Sequence, residues 1–387
     1  MMTYAAHISP SKAAEDTRPL RFLLAAGGTG GHVYPAISIA DALLSELPDA
    51  KILFVGTRDR MEWETVPKAG YEIKSIWISG FHRRLTPQNL LFPLKLVVSL
   101  IQSLAILIRF RPDAVISCGG FASGPIGWVA ARMGIPLFLQ EQNSYPGVTN
   151  RMLAAHAQTI FTAFDEAANH LPKEKIERTG NPIRNQITDM PREEAAAHFS
   201  FDASAPTLLI LGGSGGARAI NDALRDTLDT LHNELGLQLL WQCGPGYLDG
   251  LLAAIDVSRY PNLRLTGYID TMAAAYGTAD LVLTRAGAGT CSELLAAGKA
   301  SILVPSPNVA GDHQAKNADA MEQGGASLRI AETELAAALP QQLRELLNNP
   351  DTIRQMEHRA RAMARPDASA TIAKRILTVL ETNRTNE

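Results

Sequence analysis

Two glycine-rich loops, one in each half of the chain, carry residue types that suit phosphate binding. Gly27–Gly31 reads Gly-Gly-Thr-Gly-Gly and Gly212–Gly216 reads Gly-Gly-Ser-Gly-Gly, each directly after a short apolar run that predicts a strand. Glycine lets backbone N–H groups approach an anion, and the positive end of a following helix attracts it. One such loop alone is equally typical of a tight strand-to-helix turn. Because the doublets occur twice, with the hydroxyls of Thr29 and Ser214 among them, the pattern favours phosphate binding.

Two further glycine clusters extend this pattern. Gly119–Gly124 follows a predicted strand that ends near Cys118, and Ala286–Glu293 follows one that ends at Thr284. Open α/β sheets bind their ligands at the carboxyl ends of the parallel strands, which is where all four loops are expected. The sequence therefore predicts a cleft that holds two phosphorylated ligands, one in each half of the chain.

Several polar side chains stand next to these loops. His32 follows the first loop at the start of a predicted helix, whose positive end lowers a histidine pKa and leaves a neutral ring that can act as a base. Glu293 lies after the fourth loop, where a carboxylate could accept hydrogen bonds from two sugar hydroxyls. Plainer interpretations are a histidine packed beneath a loop and a first-turn glutamate favoured by the helix dipole. Gln314 follows His313 at a helix entry, where the alternative is a helix cap.

The sequence carries no motif for a bound metal. It contains no Asp-x-Asp, no His-Glu-x-x-His and no cysteine–histidine ligand spacing. We therefore expect no metal and no cofactor. The phosphate charge would instead be met by backbone amides and by Arg184 or Arg285.

Composition and charge exclude several broad classes of protein. The 387 residues are 46% hydrophobic and 19% charged, with a net charge of -3, so neither a disordered chain nor a general nucleic-acid binder is expected. Three cysteines far apart fit a reducing compartment. Residues 1–19 lack the apolar core of a secretory signal and are interpreted as a disordered tail. Leu90–Phe110 is interrupted by polar residues, and we interpret it as a surface or core helix rather than a membrane span.

Short apolar runs alternate with helix-compatible stretches along the whole chain, which predicts an α/β fold with doubly wound parallel sheets. The predicted strands are Arg21–Ala25, Lys51–Val55, Ile73–Ile78, Ala114–Ser117, Pro136–Leu139, Thr159–Phe161, Lys175–Arg178, Thr207–Leu211, Gln238–Gln242, Leu263–Leu265, Leu281–Thr284 and Ala300–Val304. We expect two Rossmann-like domains, residues 20–178 and 179–387, because turn residues and prolines cluster at Thr179–Arg192. The last helix, about Ala368–Asn383, could fold back across this boundary.

The segment Trp77–Arg111 combines bulky apolar side chains with cations. For Val97–Ile108 a buried crossover helix is the favoured interpretation, whereas Phe81–Lys95 is typical of a segment that rests on anionic lipid. The side chains expected to form this membrane patch are Phe81, Arg83, Arg84, Leu91, Phe92 and Lys95.

Seven short motifs occur in a specific order, although several of them are generic when taken alone. They are GGTGGHVYPA at Gly27–Ala36, GGFASGP at Gly119–Pro125, EQN at Glu141–Asn143, GNPIR at Gly180–Arg184, GGSGGA at Gly212–Ala217, YIDTM at Tyr268–Met272 and AGAGTCSE at Ala286–Glu293. This ordered set spans about residues 20–385 and resembles the MurG family of peptidoglycan glycosyltransferases.

The resemblance implies the GT-B architecture and an inverting, metal-independent transfer of N-acetylglucosamine from UDP-N-acetylglucosamine. The acceptor would be undecaprenyl-diphospho-N-acetylmuramyl-pentapeptide (lipid I), whose muramyl C4 hydroxyl would be the nucleophile, and the product would be lipid II. The resemblance also implies a peripheral enzyme at the cytoplasmic face of the bacterial inner membrane, and it leaves cell-division and elongation proteins open as partners.

The same resemblance implies roles for individual residues. Those expected around the donor are Thr29, Gly30, Gly31, Asn143, Arg184, Ser214, Ile269, Ala288, Gly289, Thr290, Cys291, Ser292, Glu293 and Gln314. Those expected to face the acceptor's diphosphate are Gly27, Gly28, Gly119, Gly120 and Ser123. His32 is the leading candidate for the general base, and Glu141 competes with it on chemical grounds. Phe121 stands where a tyrosine is common, so it offers the acceptor no hydroxyl.

Two alternatives remain open at the level of the sequence. One is another enzyme on the same scaffold, such as a UDP-N-acetylglucosamine 2-epimerase or a different sugar transferase. The other is a binding module for nucleotide sugars without catalysis. Release of UDP without an acceptor would favour the former, and tight donor binding without turnover would favour the latter.

Overall fold

The computed structural model describes residues 18–80, 91–183, 190–213, 215–309 and 312–385. Within these ranges the strands form two sheets. Their bounds are β1 (Arg21–Ala25), β2 (Lys51–Gly56), β3 (Glu72–Ser75), β4 (Ala114–Ser117), β5 (Leu137–Glu141), β6 (Thr159–Thr162), β7 (Ile176–Arg178), β8 (Thr207–Leu211), β9 (Gln238–Gln242), β10 (Leu263–Thr266), β11 (Leu281–Thr284), β12 (Ser301–Leu303) and β13 (Ser327–Arg329).

Both sheets are parallel throughout and doubly wound. The first has seven strands in the order β3-β2-β1-β4-β5-β6-β7, and the second has six in the order β10-β9-β8-β11-β12-β13. In each sheet the order reverses beside the strand that precedes a glycine doublet, β1 in the first and β8 in the second. The loops after these strands therefore lie at the switch points, where such sheets bind ligands. The predicted fold class is confirmed.

The strand predictions fail mainly where the local signal is weak. β3 ends at Ser75 rather than at Ile78, because its partner β2 ends at Gly56 and the last bond runs from Ile76 N to Gly56 O at 3.1 Å. β13 was not predicted, since this three-residue edge strand lacks a continuous apolar run.

Helices cover both faces of the two sheets and enclose four apolar clusters. Their bounds are α1 (Gly30–Glu46), α2 (Glu62–Lys68), α3 (Phe92–Phe110), α4 (Ser123–Arg132), α5 (Val148–Leu153), α6 (Arg192–His198), α7 (Arg218–Asp229), α8 (Pro245–Ala254), α9 (Met272–Thr278), α10 (Ala288–Ala297), α11 (His313–Gln323), α12 (Leu335–Leu347), α13 (Pro350–Met363) and α14 (Ala368–Thr385). α1 begins at Gly30, so the first glycine loop leads directly into it.

The last helix, α14, packs on the first sheet and not on the second. Ile372, Ile376 and Leu380 recur every four residues and enter the apolar cluster formed by β1 and α1. Burying each such side chain contributes about 1.5–3 kcal/mol. Arg375 also pairs with Glu177 beside β7, at 2.5 Å. The chain thus returns to its first sheet after completing the second, and this return links the two halves.

The helix α3 has an apolar face turned to solvent, so the prediction of a buried crossover helix over Val97–Ile108 is wrong. The outward residues recur every three or four positions, are 42% to 63% exposed and form what we call the outer stripe, Leu94, Val97, Ile101, Leu104 and Ile108. The inward face carries Ser99, Ser103 and Leu107. Both serine hydroxyls donate within the helix, to Leu96 O and Ser99 O at 2.7 Å, which allows them to be buried.

By length and composition α3 could cross a membrane. Its most apolar window has a mean hydropathy of 1.7, only 17% of that window is buried, and no other helix in the described ranges meets the same criterion. Of the predicted membrane patch, Leu91 is 49% exposed, Phe92 packs against the core, and Lys95 lies over the Trp77 ring. The other predicted patch residues, Phe81, Arg83 and Arg84, lie outside the described residues, as do Arg184, Ser214 and residues 1–17 of the predicted tail.

Candidate functional site

The two glycine loops of the first sheet press against each other at its carboxyl edge. Gly120 has a φ of +86°, and a Cβ there would lie 2.1 Å from Gly27 O. Gly119 has a φ of +92°, and its Cβ would lie 2.7 Å from Cδ2 of His32. A side chain at either position would be both strained and in collision. These glycines therefore allow the second loop to pack directly against the first loop and the His32 ring.

The His32 side chain is held by one nitrogen of its ring. Nδ1 lies 3.1 Å from Gly27 O and 3.1 Å from Thr29 Oγ1. Because a carbonyl oxygen can only accept, Nδ1 carries the hydrogen and Nε2 keeps its lone pair. Burial lowers the pKa of His32, while the charge of Glu141 opposes that shift. The ring is therefore a neutral group with a basic nitrogen at the loop, which is the chemistry that a general base needs.

Glu141, the competing candidate, is buried and fully engaged. It ends β5 and is 1% exposed. Oε1 accepts from Asn143 N at 3.0 Å and Asn143 Nδ2 at 3.1 Å, and Oε2 accepts from Gly147 N and Asn150 Nδ2 at 2.9 Å. Four donors occupy the lone pairs with which a carboxylate takes up a proton. The geometry suits a carboxylate that shapes the loop after β5, and between the two candidates it favours His32 as the base.

Some residues expected at the acceptor's diphosphate have other partners. Ser123 is fully buried, with its Oγ 2.8 Å from Ala25 O and 2.7 Å from Gly119 O. The N–H of Gly28 donates to Glu62 Oε2 at 3.1 Å. The Ser123 hydroxyl and the Gly28 amide are therefore already engaged within the protein, and their place at the acceptor's diphosphate stays a prediction.

A buried asparagine joins the two halves across the cleft. Asn317, on α11, accepts from Ser144 N and Ser144 Oγ at 3.0 Å and donates to Asn143 Oδ1 at 3.4 Å and to Ala286 O at 3.2 Å. The predicted donor residue Asn143 thus lies where the loop after β5 meets α11. No sequence motif marks Asn317, although it lies three residues after Gln314, on the same helical face.

The second glycine loop borders a cavity of about 620 Å³ in the second half of the chain. It is lined by Gly212, Gly213, Gly215, Gly216, Ala217, Arg218, Ala219, Asp222, Arg285, Gly287, Thr290, Ser306, Asn308, Gln314 and Glu332. Gln314 Oε1 accepts from Ser306 N at 2.8 Å, and Arg285 is paired with Glu332 at 2.5 Å. Arg218, Ser306 and Asn308 were not predicted, because no motif marks them.

The helix α10 carries the AGAGTCSE motif, and its side chains diverge. Thr290 faces the cavity, whereas the Cys291 thiol is buried in the core, where burial raises its pKa to about 12. Ser292 Oγ donates to Ala288 O at 2.9 Å, and Glu293 Oε2 accepts from Tyr276 OH at 3.1 Å. The Cys291 thiol therefore packs in the core, and the expected contact of this residue with the donor stays a prediction. Glu293 lies in the second turn of α10. The helix dipole, which favours a glutamate in the first turn, therefore does not account for its position.

Ile269 and Gly289 are the remaining residues that were predicted at the donor site. Ile269 does not line the cavity at the second glycine loop. It lines a second cavity of about 630 Å³, together with Tyr268 and Leu240. The loop after β8 and the loop after β10 are neighbours, because Gln242 Nε2 donates to Gly213 O at 3.0 Å and to Gly267 O at 3.2 Å. Gly289 lies in the first turn of α10, next to Thr290. In the described residues no group of three or more His, Cys, Asp or Glu side chains could hold a metal ion.

Comparison with known proteins identifies the family. Residues 22–162 match the glycosyltransferase family 28 N-terminal domain, and residues 207–372 match its C-terminal domain. A relative from Salinibacter ruber is 44% identical and covers 96% of this chain and 100% of its own length. One from Flavobacterium psychrophilum is 42% identical and covers 94% and 99%. Both are named UDP-N-acetylglucosamine–N-acetylmuramyl-(pentapeptide) pyrophosphoryl-undecaprenol N-acetylglucosamine transferase.

Solved structures agree with this assignment. MurG of Acinetobacter baumannii superposes with a TM-score of 0.75 at 28% identity, covering 93% of this chain and 99% of its own. A UDP-N-acetylglucosamine 2-epimerase superposes with a TM-score of 0.60 at 14% identity, covering 94% and 98%, and this likeness concerns the fold alone. The chain therefore belongs to the MurG family of N-acetylglucosaminyltransferases, within glycosyltransferase family 28.

Proposed function

We propose that this enzyme transfers N-acetylglucosamine from UDP-N-acetylglucosamine to the muramyl C4 hydroxyl of lipid I, with inversion and without a metal ion. The relatives that are up to 44% identical over nearly the whole chain carry the name of this reaction. The observation that carries the proposal is the neutral His32 ring, whose Nε2 keeps its lone pair beside the first glycine loop. In the proposed domain division, residues 20–178 bind the acceptor and residues 179–387 bind the donor.

The donor would occupy the 620 Å³ cavity with its diphosphate at the second glycine loop. The backbone amides at the start of α7 and the positive end of that helix suit a diphosphate. Gln314 is bonded through its Oε1 to Ser306 N, so its amide nitrogen is the end that would donate to the sugar or phosphate. Thr290 and Glu293 would contact ribose and sugar, and the backbone at Ile269 would contact the nucleoside.

The proposed chemistry is a single displacement at the anomeric carbon. The C4 hydroxyl oxygen of the acceptor forms a bond to this carbon, the bond to the β-phosphate oxygen breaks, and the hydroxyl proton passes to Nε2 of His32. Inversion follows, because the nucleophile enters opposite to the leaving group. Charge that develops on UDP would be stabilised by amides already oriented before the reaction, which is the electrostatic form of catalysis. Thr29, Gly30 and Gly31 would complete the donor site from the opposite domain.

A radiolabel assay tests this reaction directly. We expect sugar to pass from UDP-N-acetylglucosamine to a short-chain lipid I analogue in the presence of EDTA, because the proposed site uses amides and side chains for the phosphate charge. Transfer abolished by EDTA and restored by a divalent ion would overturn the metal-independent part. Epimerised UDP-sugar formed without acceptor would overturn the transferase assignment.

We further propose that the enzyme binds the membrane surface peripherally through the outer stripe of α3. The stripe is a continuous apolar face, and the cations Lys95, Arg109, Arg111 and Arg132 lie on or close to α3 and α4. An amphipathic surface with flanking cations is typical of helices that lie in the interface of anionic lipids. The occupant we propose is an anionic bilayer, which also carries the lipid-linked acceptor.

Two substitutions in the stripe should weaken this binding strongly. Ile101 is 63% exposed and Ile108 is 55% exposed, so Ile101→Glu with Ile108→Glu removes two apolar contacts and adds like charge to the lipid. Burying one such side chain is worth about 1.5–3 kcal/mol, so co-sedimentation with anionic vesicles should fall by about tenfold or more. The matched control is Leu252→Glu with Val257→Glu, at exposed apolar positions of the second domain. Equal binding of both double variants would contradict the proposed surface.

A further inference from the structure

One peptide group connects His32 to a buried carboxylate on another element. The C=O of Gly27 accepts from His32 Nδ1 at 3.1 Å, and the N–H of Gly28 donates to Glu62 Oε2 at 3.1 Å. These two atoms belong to the same peptide bond. Its N–H and C=O point in opposite directions, because a trans peptide is planar. The peptide therefore stands between the carboxylate and the imidazole and is hydrogen-bonded to both.

The Glu62 carboxylate is fixed at its other end as well. It lies on α2, is fully buried, and its Oε1 accepts from Thr57 N at 3.0 Å and Thr57 Oγ1 at 2.8 Å. A Cβ on Gly27 would lie 2.9 Å from the same Oε1, so the glycine loop closes directly over the carboxylate. The three donors to this carboxylate are Gly28 N, Thr57 N and Thr57 Oγ1, and all of them are neutral. Burying a charged group is costly, and here hydrogen bonds from neutral groups alone offset that cost. Such a site is hard to explain by packing alone.

We propose that Glu62 is a positioning residue for the transfer reaction, which orients and polarises the Gly27–Gly28 peptide so that its carbonyl holds the His32 ring ready to accept a proton. This inference rests on the proposed function, because it takes His32 as the base. A carboxylate at the N–H end makes the carbonyl oxygen a stronger acceptor, since hydrogen bonds in a chain polarise one another. The carbonyl then fixes the hydrogen on Nδ1 and stabilises the imidazolium that forms when Nε2 takes the proton.

The charged and titratable groups around His32 define the expected pH effect. Those that act on its ring are Glu141, Glu62 and His313; the carboxylates raise its pKa, and His313 lowers it further. Removing the Glu62 charge should therefore lower the His32 pKa. The ring then remains unprotonated to lower pH but is a weaker base. The acidic limb of kcat/KM should move to lower pH while the plateau falls.

Glu62→Gln is the variant that tests this, with Asp113→Asn as its matched control. Asp113 is also a carboxylate of the first domain that accepts a backbone N–H, from Arg21 at 2.8 Å, but it lies at the amino end of the sheet. We expect Glu62→Gln to lower kcat by about 10- to 100-fold, part of the about 10²–10⁴-fold that a general base contributes. Its KM for UDP-N-acetylglucosamine should change little. Asp113→Asn should lose stability and keep the pH profile of the parent enzyme.

Each outcome decides the role of Glu62. The proposal is wrong if Glu62→Gln leaves the acidic limb of the kcat/KM profile where it is in the parent enzyme. It is also wrong if the variant loses no more kcat than Asp113→Asn does. In either case Glu62 has only a structural role. Should the variant fail to fold, the ¹⁵N shifts of His32 in the unaltered enzyme answer the question. Hydrogen on Nδ1 supports the proposed contact from Glu62 through the Gly27–Gly28 peptide to His32, and hydrogen on Nε2 overturns it. If the unaltered enzyme did not transfer sugar, the proposed function would be overturned. The tautomer of His32 could still be measured in that case.

Discussion

His32→Asn should reduce the rate of sugar transfer by about 10²–10⁴-fold, the contribution expected of a positioned general base. Asparagine is the informative replacement, because its Nδ2 can take the place of Nδ1 and keep the bond to Gly27 O, which is 3.1 Å long in the native site. What the variant lacks is the basic nitrogen on the far side of the ring. The loss should therefore appear in kcat, measured by single-turnover transfer, and not in the fold of the loop.

Donor binding provides the control for this variant. The cavity proposed for the donor's diphosphate is lined by residues of the second half of the chain. Asparagine also keeps the bond to Gly27 O that holds the loop with Thr29, Gly30 and Gly31, so UDP-N-acetylglucosamine should bind His32→Asn nearly as tightly as it binds the parent enzyme. Calorimetric titration measures this directly. A loss of kcat of less than about tenfold would contradict the assignment of His32, since even a modest general base contributes more.

The pH dependence of the parent enzyme gives an independent check on the same nitrogen. Burial lowers the pKa of His32, so the ring is neutral and active down to below the ordinary histidine value of about 6.5. Activity should fall on acidification only as the pH passes through this lowered pKa. In His32→Asn the residual rate should no longer show that acidic limb.

The sequence predicts the fold well because its signals are local and repeated. β1 and β8 are apolar runs that end in glycine doublets, and the alternation of such runs with helices specifies parallel sheets. The place of the ligand sites follows from the same rule, since the loops after the carboxyl ends of parallel strands converge. Neither inference requires knowledge of which side chains meet across the chain.

Predictions failed where a side chain's role depends on distant partners. Nothing in the sequence marks Glu62, since the Gly28 amide that it holds is 34 residues away. In α3 apolar residues occur on every side, so composition alone could not show that Ser99 and Ser103 face inward and the outer stripe faces solvent. Ser123 and Cys291 belong to motifs from which ligand contacts were predicted, yet their neighbours bury both side chains. Motifs locate a loop, whereas packing decides which of its atoms face the ligand.

Glu141→Gln should lower the free energy of unfolding substantially and leave His32 as the general base. In the native site each carboxylate oxygen accepts two N–H groups. Glutamine offers a single acceptor oxygen, and its NH₂ group would face two donors. Each donor left without an acceptor in a buried site costs about 1–3 kcal/mol, so a loss of about 3 kcal/mol and a fall in Tm of roughly 6–12 °C are expected.

The catalytic consequences of the same substitution separate the two candidates for the base. The charge of Glu141 raises the pKa of His32, so its removal should move the acidic limb of kcat/KM to lower pH and keep its shape. If Glu141 itself took the proton, the limb would vanish and transfer would collapse by about 10²-fold or more. Asp280→Asn is the matched control, because that carboxylate accepts from Thr207 N at 2.7 Å and pairs with Arg192 at the amino end of the second sheet. It should lose stability and leave the pH profile unchanged, so a profile altered only in Glu141→Gln reports on the cleft itself.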